Sequence, residues 1–403
     1  MLTKSKLMEV IQIQNKEIII SGNFIKRDLG GVFLSKSFVR IISGIRRCGK
    51  STLLREMIKK EKNIYYLNLS DPRLQGFEFE DFMLADKIFK ELFKKDGTYF
   101  FDEIQEIPGW EKYVRFLVDN KNKVALTGSN ASMLSKELGT KLTGRHLTTE
   151  LFPFSYNEFL KFKKLKPGIK SYEKYFQKGG FPEYLEENSN EILHELLKDI
   201  TIRDVAIRHK IKNLNNLNKL TSFLITNVGK EFSYNSLKKI MQIPSVQTVI
   251  DIISYLEDSY LIFTLPKFDY SFKKQQIAAK KIYSIDNGLS NANSISFSKD
   301  FGKMLENQIF IGLKRKGYEL FYFQEKGECD FLVKEKNKIT QAFQVCYELN
   351  DENMVREVAG LTAAMRKFNL KEGLIITYDK DDEILVEDLK IKMIPAWKWF
   401  LDY

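Results

Sequence analysis

The sequence predicts an α/β protein: a parallel-sheet domain, then a helical segment ending in a small winged-helix-like part, then a second α/β domain. Three observations carry this expectation. From residue 37 to about 155, short β-rich runs alternate with helical stretches, the pattern of a parallel sheet covered on both faces. A loop bracketed by Gly44 and Gly49 joins the first of these runs to the first helix. Beyond residue 300, strand-like runs return after a long helix-rich stretch.

A chain of 403 residues exceeds what one hydrophobic core organises, so two or three domains are expected. With 43% hydrophobic and 29% charged residues it has the balance of a folded, water-exposed protein. No run of about 18 apolar residues could span a membrane. The first twenty residues interleave charged and polar side chains, so no secretory leader is expected there. Cys48, Cys329 and Cys346 lie far apart and outside metal-ligand spacing, and three histidines are too few for a His-rich metal site. Free thiols in a reducing, cytoplasmic compartment are the expectation. The 64 Lys and Arg against 53 Asp and Glu give a net charge of +11, which suits an anionic partner such as nucleic acid. A merely lysine-rich composition explains the same charge.

Residues 1–35 read as a leading helix and loop. The sheet domain, 36–155, offers strands at Phe38–Ser43, Ile64–Asn68, Thr98–Phe101 and Val124–Thr127, with helices at Ser51–Lys60, Phe79–Lys95 and Trp110–Asn120. Residues 156–212 form a helical linker or lid, broken at Pro167-Gly168 and Gly179-Gly180-Phe181-Pro182. Residues 213–290 read as three helices and two β runs, and 291–403 as a helix followed by strands around a second helix.

The run Gly44-Ile45-Arg46-Arg47-Cys48-Gly49-Lys50-Ser51-Thr52 fits the phosphate-loop pattern G-x-x-x-x-G-K-[ST] in full, with the strand before it and the helix after it that the motif needs. The two glycines let backbone N–H groups wrap a phosphate at a helix N-terminus. Lys50 supplies charge to the β- and γ-phosphate oxygens, and the Ser51 hydroxyl is a hard-oxygen ligand for Mg²⁺. Four β-favouring residues, Thr98-Tyr99-Phe100-Phe101, then deliver Asp102 and Glu103 to the carboxyl end of the sheet, where ligands of open α/β sheets sit. Asp102 is expected in the Mg²⁺ shell and Glu103 as the group that orients the attacking water. After the next strand, Ser129 or Asn130 serves as a γ-phosphate sensor or as a helix cap. Arg145 and Arg203 are candidate arginine fingers, with solvated or carboxylate-paired roles as the alternative. Cys48, near a helix N-terminus, is expected to favour its thiolate, or else to be a small residue that fits.

These segments carry a resemblance. GIRRCGKSTLL, YFFDEIQEIPGW, VALTGSNASML and GRHLTTELFPFSYNEFL resemble the prokaryotic AAA-type ATPases with a C-terminal domain of unknown function. GGFPEYL, DITIRDVAIRHKI, KKIYSIDNGL, LENQIF, ECDFLV and QVCYEL agree with that family in order. The resemblance implies an ATPase domain, a winged-helix-like segment and a nuclease-like fold, and the preference for ATP over GTP rests on it.

Read on its own residues, 213–290 ends in a hairpin carrying Lys267, Lys273, Lys274, Lys280 and Lys281, while the third helix shows Gln247, Thr248, Asp251, Glu257 and Asp258. Acidic residues there suit DNA phosphate poorly, so DNA reading and protein packing both stand. In the last domain Glu306, Asp330 and Gln344-Val345-Cys346 follow the order of the PD-(D/E)XK nucleases. Gln344 and Cys346 stand where those enzymes need a carboxylate and a lysine, which predicts a non-catalytic domain. The expectation is an Mg²⁺-dependent ATPase whose nucleotide state acts on C-terminal domains that bind DNA or a protein, with oligomerisation open. A non-turnover ATP switch and an ATP-gated nuclease are the alternatives.

Overall fold

Five parallel strands build the first sheet: β1 (Val39–Ser43), β2 (Ile64–Asn68), β3 (Thr98–Asp102), β4 (Val124–Gly128) and β5 (His146–Glu150), in the order β2-β3-β4-β1-β5. The structure is a computed structural model describing residues 2–18, 24–29, 31–129, 144–296, 298 and 300–402. Every residue of β1, β3 and β4 is buried, as helices on both faces of a parallel sheet require. Among the described residues, four α-helices belong to this sheet: α1 (Lys4–Glu17), α2 (Lys50–Ile58), α3 (Asp81–Phe93) and α4 (Trp110–Asp119). Leu7 and Ile11 of α1, Phe82 and Phe89 of α3, and Trp110 and Val114 of α4 share one core with the strands.

The leading helix also closes an edge. Asn15 of α1 accepts from Tyr66 N (3.1 Å) and donates to Tyr66 O (2.9 Å), and Gln14 does the same with Asn68 at 2.9 and 3.2 Å. Side-chain amides thus satisfy the outer backbone of β2, the edge strand, which would otherwise invite another chain.

Contacts divide the chain into two units, Met1–Phe152 with Asp258–Tyr260, and Pro153–Glu257 with Leu261–Tyr403. The second unit opens with α5 (Tyr156–Lys163), α6 (Ile169–Lys178), α7 (Pro182–Glu187) and α8 (Asn190–Asp199), which runs into a π-helical stretch, Ile200–Ile207. Then come α9 (Leu214–Thr226), β6 (Glu231–Phe232), α10 (Tyr234–Met241), α11 (Val246–Asp258), β7 (Ile262–Pro266), α12 (Phe272–Ile277), β8 (Lys280–Ser284) and α13 (Asn287–Asn293). The strands form an antiparallel sheet, β6-β8-β7.

The remainder is α14 (Phe301–Arg315), β9 (Glu319–Gln324), β10 (Glu328–Glu335), β11 (Lys338–Cys346), α15 (Asp351–Lys367), β12 (Glu372–Thr377), β13 (Asp382–Val386), β14 (Leu389–Pro395) and α16 (Ala396–Asp402). Its six-stranded mixed sheet runs β13-β14-β12-β11-β10-β9. Two distant segments of the family resemblance meet in this unit: the buried Asp286 carboxylate accepts from Gly180 N (2.7 Å) and caps α13 through Leu289 N (3.0 Å). A Cβ on Gly179, at φ 68°, would stand 2.0 Å from that carboxylate, so only glycine fits. Among the described residues no helix is long and apolar enough to cross a membrane.

Candidate functional site

At the carboxyl end of β1 the chain leaves Ser43 and turns at Gly44. A Cβ there would lie 2.1 Å from the carbonyl oxygen of Leu151, and φ is 155°, so the turn needs glycine. Gly49, the residue that caps α2, also has positive φ, 100°. The loop between them is tied down from behind. Buried Arg27 donates to the carbonyls of Cys48 (2.9 Å) and Phe152 (2.6 Å), and Leu151 N donates to Ser43 O (2.6 Å). A loop fixed in this way need not be ordered by its ligand, which lowers the entropic cost of binding.

Lys50 opens α2 with its side chain buried; Nζ donates to Ile45 O (3.2 Å) and stands 3.5 Å from Glu103 Oε1. Ser51 follows, and its hydroxyl hydrogen-bonds the Asp102 carboxylate. Asp102 also accepts from Thr127 Oγ1 (2.5 Å) and Tyr66 Oη (3.4 Å). Burial, then the adjacent Glu103, raises the Asp102 carboxyl above its ordinary range, while Thr127, Ser51 and Lys50 pull the other way. Ser51 and Asp102 therefore offer two hard oxygens, one of them a buried carboxylate with an incompletely offset charge, and that donor set fits Mg²⁺.

Glu103 stands at φ 53°, left-handed for a residue with a side chain, and its N–H donates to Thr127 Oγ1 (2.8 Å). Its carboxylate also accepts from Gln105 Nε2. Burial would raise the Glu103 pKa, but Lys50, Gln105 and Arg46 outweigh it and hold the group below the ordinary range. Glu103 is thus kept ionised beside Asp102. Ser129, buried just past β4, receives a 3.4 Å hydrogen bond from Gln105 Nε2. Arg46, Arg47 and Thr52 are half-buried on the loop and the first turn of α2, and Arg47 takes a positive φ of 63°.

The structure thus brings Lys50, Ser51, Asp102, Glu103 and Ser129 together. It adds Thr127, Gln105, Arg27 and Tyr66, which the sequence reading did not single out. Thr127, a polar end to the apolar strand Val124-Ala125-Leu126, was the one with a visible signal.

Two expectations are corrected. Arg145 precedes β5 at the end where Val39 pairs with His146, opposite the end where Ser43 pairs with Glu150 and the loop begins. Its guanidinium is held by Asp119 (2.7 Å). It cannot be a finger onto this chain's own phosphate loop. Cys48 is fully buried, and burial pushes its thiol up rather than down, which speaks against the thiolate and leaves the alternative of a small residue that fits. Only its backbone serves the loop. Arg203 pairs with Asp199 at 3.3 Å on the π-helical stretch. Asn130, the other sensor candidate, lies outside the described residues.

In the second unit, Glu306 of α14 and Asp330 of β10 converge on a residue read as part of a basic hairpin. Lys281 of β8 is buried, with Nζ 3.0 Å from Glu306, 2.9 Å from Asp330 and 2.7 Å from Glu328. Burial disfavours the ammonium, but Asp330 and Glu306 outweigh it and keep Lys281 charged well above the ordinary range. Gln344 receives Asp330 N (3.3 Å) and donates to Glu357 (2.6 Å). Cys346 donates to Glu348 O (3.2 Å), and burial pushes its thiol up to about 11. The cluster borders a cleft of about 600 Å³. Among the described residues no set of three or more His, Cys, Asp or Glu side chains is arranged to hold a metal.

An AAA domain model matches residues 36–160, and a model described as a domain of unknown function (DUF8612) matches residues 169–299. Uncharacterized protein MJ1544 of Methanocaldococcus jannaschii is 37% identical over 435 residues, spanning 100% of this chain and 97% of that one. An uncharacterized protein of Haemophilus influenzae is 29% identical over 362 residues, 83% of this chain and 88% of that one. A solved structure of Drosophila ORC bound to AT-rich DNA and Cdc6 overlaps 71% of this chain and 90% of its own at 8% identity and a TM-score of 0.21, a likeness too remote to bear on function.

Proposed function

Because the chain belongs to the family of MJ1544 and carries an AAA domain, we propose that it is an Mg²⁺-dependent ATPase whose nucleotide state acts on its C-terminal part. The observation that carries this reading is the single constellation at one sheet edge: Lys50, Ser51, Asp102 and an ionised Glu103 oriented through Thr127. The loop amides and Lys50 hold the phosphates and carry charge that develops on the γ-phosphoryl oxygens. Ser51 and Asp102 would hold Mg²⁺, which would supply positive charge to offset that of the phosphates. Glu103 orients water for in-line attack, and Lys50 must leave Glu103 for the phosphates before it can do so. Ser129 and Gln105, hydrogen-bonded to each other at 3.4 Å, are taken as sensors of the γ-phosphate or the water. From α9 onward, the order helix, short strand, two helices and hairpin reads as winged-helix-like.

Phosphate release by wild type and Glu103→Gln, with nucleotide binding followed separately, tests the reading. Wild-type turnover with a loss of about a hundredfold or more in the variant, at retained ATP affinity, supports it. Equal turnover by both proteins would remove Glu103 from the chemistry. ATP bound without turnover by wild type would leave a nucleotide switch.

A further inference from the structure

We propose that the β7–β8 hairpin of the second unit, together with the cleft beside it, is a binding site for single-stranded nucleic acid. This names a partner for the C-terminal part of the proposed ATPase, yet it stands on the second unit alone. The starting observation is α12, which buries none of its six residues. Tyr270, Phe272 and Ile277 are 78%, 73% and 76% exposed, a dense group of large apolar side chains left in water. Tyr270 and Phe272 line a cleft of about 850 Å³ whose wall also includes Phe268, Phe321 and Lys338. The Tyr270 ring is braced edge-on against Phe268 at 5.2 Å, with Lys367 Nζ 5.9 Å from its centroid.

Charge selects the occupant. The acidic residues on the wall are already engaged: Glu319 is paired with Lys334 at 2.9 Å, and Asp269 accepts from Ser271 N at 2.8 Å. Lys273, Lys274 and Lys338 are exposed, and among the described residues none of them lies within ion-pair distance of a carboxylate. Two largely exposed aromatic rings among uncompensated ammonium groups match a ligand that presents flat π-faces on a polyanionic backbone. Base pairs in a duplex hide those faces in their own stack, whereas unpaired bases can lie on Tyr270 and Phe272. Duplex reading through α11 is disfavoured independently. That helix carries no Lys or Arg, its exposed Gln247 donates to Asp251 (2.8 Å), and Glu257 is tied to Thr264 of β7 (2.9 Å).

The test is fluorescence anisotropy of labelled oligo-dT and oligo-rU, and of a duplex of equal length, with the full chain and no nucleotide. Saturable binding of either single strand, tighter than the duplex, is expected. Tyr270→Ala/Phe272→Ala should weaken it about tenfold or more, and Lys273→Glu/Lys274→Glu should weaken it and flatten its salt dependence. Tyr270→Leu/Phe272→Leu keeps apolar area while losing the stacking face, and should behave like the alanine pair; Tyr270→Trp/Phe272→Trp should retain binding. These positions are exposed, so circular dichroism should show wild-type folding in all four variants. No saturable binding of either strand, duplex bound as tightly as single strand, or affinity indifferent to the aromatic variants would overturn the proposal. So would anionic phospholipid vesicles binding where the oligonucleotides do not, or a loss of self-association in the alanine pair with oligonucleotide binding unchanged. Phosphate release measured on the same preparations keeps the two readings apart: silent hydrolysis with intact strand binding sinks only the ATPase, and the reverse sinks only this site.

Discussion

Glu103 occupies a backbone conformation that costs an L-residue roughly 1 kcal/mol or more, and Thr127 is what repays it. One hydroxyl accepts from Glu103 N–H at 2.8 Å and donates to Asp102 at 2.5 Å, so it ties together the residue proposed to direct water and the one proposed to hold the metal. Thr127→Val keeps the shape and removes both bonds. The expected result is a stability loss of about 1–2 kcal/mol in urea denaturation and a fall in turnover of about tenfold or more, with the KM for ATP little changed. A variant with wild-type turnover would show that Glu103 needs no such support. At this scale the sequence was readable wherever chemistry is written as spacing. Gly44, Gly49, Lys50 and Ser51 form one short run, and Asp102-Glu103 follow a strongly apolar strand. Arg27 and Gln105 were not readable, because each acts through a tertiary contact that leaves no periodic trace. Arg145 misled because adjacency to the sheet domain says nothing of which sheet edge a residue reaches; the register of β5 decides that.

Strands that are buried on both faces were legible as apolar runs, which is why β2 falls on the bounds expected of it and β1, β3 and β4 fall within a residue of theirs. β5 was not. His146-Leu147-Thr148-Thr149-Glu150 is an edge strand, half-exposed, and has no core face long enough to stand out from a loop. The same blindness applies to burial of charge. In sequence, Lys281 looks like one more lysine on a basic hairpin, but β8 delivers it between α14 and β10, into the midst of three carboxylates. Lys281→Met should therefore be among the most damaging single changes in the second unit, at about 3–5 kcal/mol near neutral pH, because Asp330 would be left buried without its ion-pair partner and Glu306 would keep only Lys303 (2.7 Å). Glu306 already lies above the ordinary carboxylate range, through burial and then Asp330, and loses its Lys281 counterweight in the variant. A folded-state carboxyl pKa above the unfolded one makes stability rise as pH falls, so the deficit should narrow from pH 8 toward pH 5. Denaturation of both proteins across that range checks the sign. A pH-independent deficit would point to lost packing instead.

At the scale of the whole chain, the two units are joined covalently at three places, Phe152–Pro153, Glu257–Asp258 and Tyr260–Leu261, because the short piece Asp258–Tyr260 belongs with the first unit. Tyr260 is buried there at φ 61°, and its hydroxyl shares a 2.6 Å hydrogen bond with Ser43 Oγ, one residue before the phosphate loop begins. Burial raises the phenol far enough that it stays protonated at any ordinary pH, so the bond does not titrate away. One residue later the chain enters the run leading into β7, the first strand of the hairpin that carries Tyr270 and Phe272. A shift of Ser43 on nucleotide loading has, through this bond, a route of a few residues to that hairpin. If the route operates, ATP and ADP should give single-strand affinities that differ by about fivefold or more, the size of a modest coupling free energy. Tyr260→Phe keeps the ring and removes the bond. It should cost about 1 kcal/mol of stability and bring the two affinities together. Strand affinity measured by anisotropy in each nucleotide state, for wild type and Tyr260→Phe, decides it. A variant that keeps the full ATP-to-ADP difference would exclude the Ser43–Tyr260 bond as the link, and a wild type with no difference would mean that the two sites work independently.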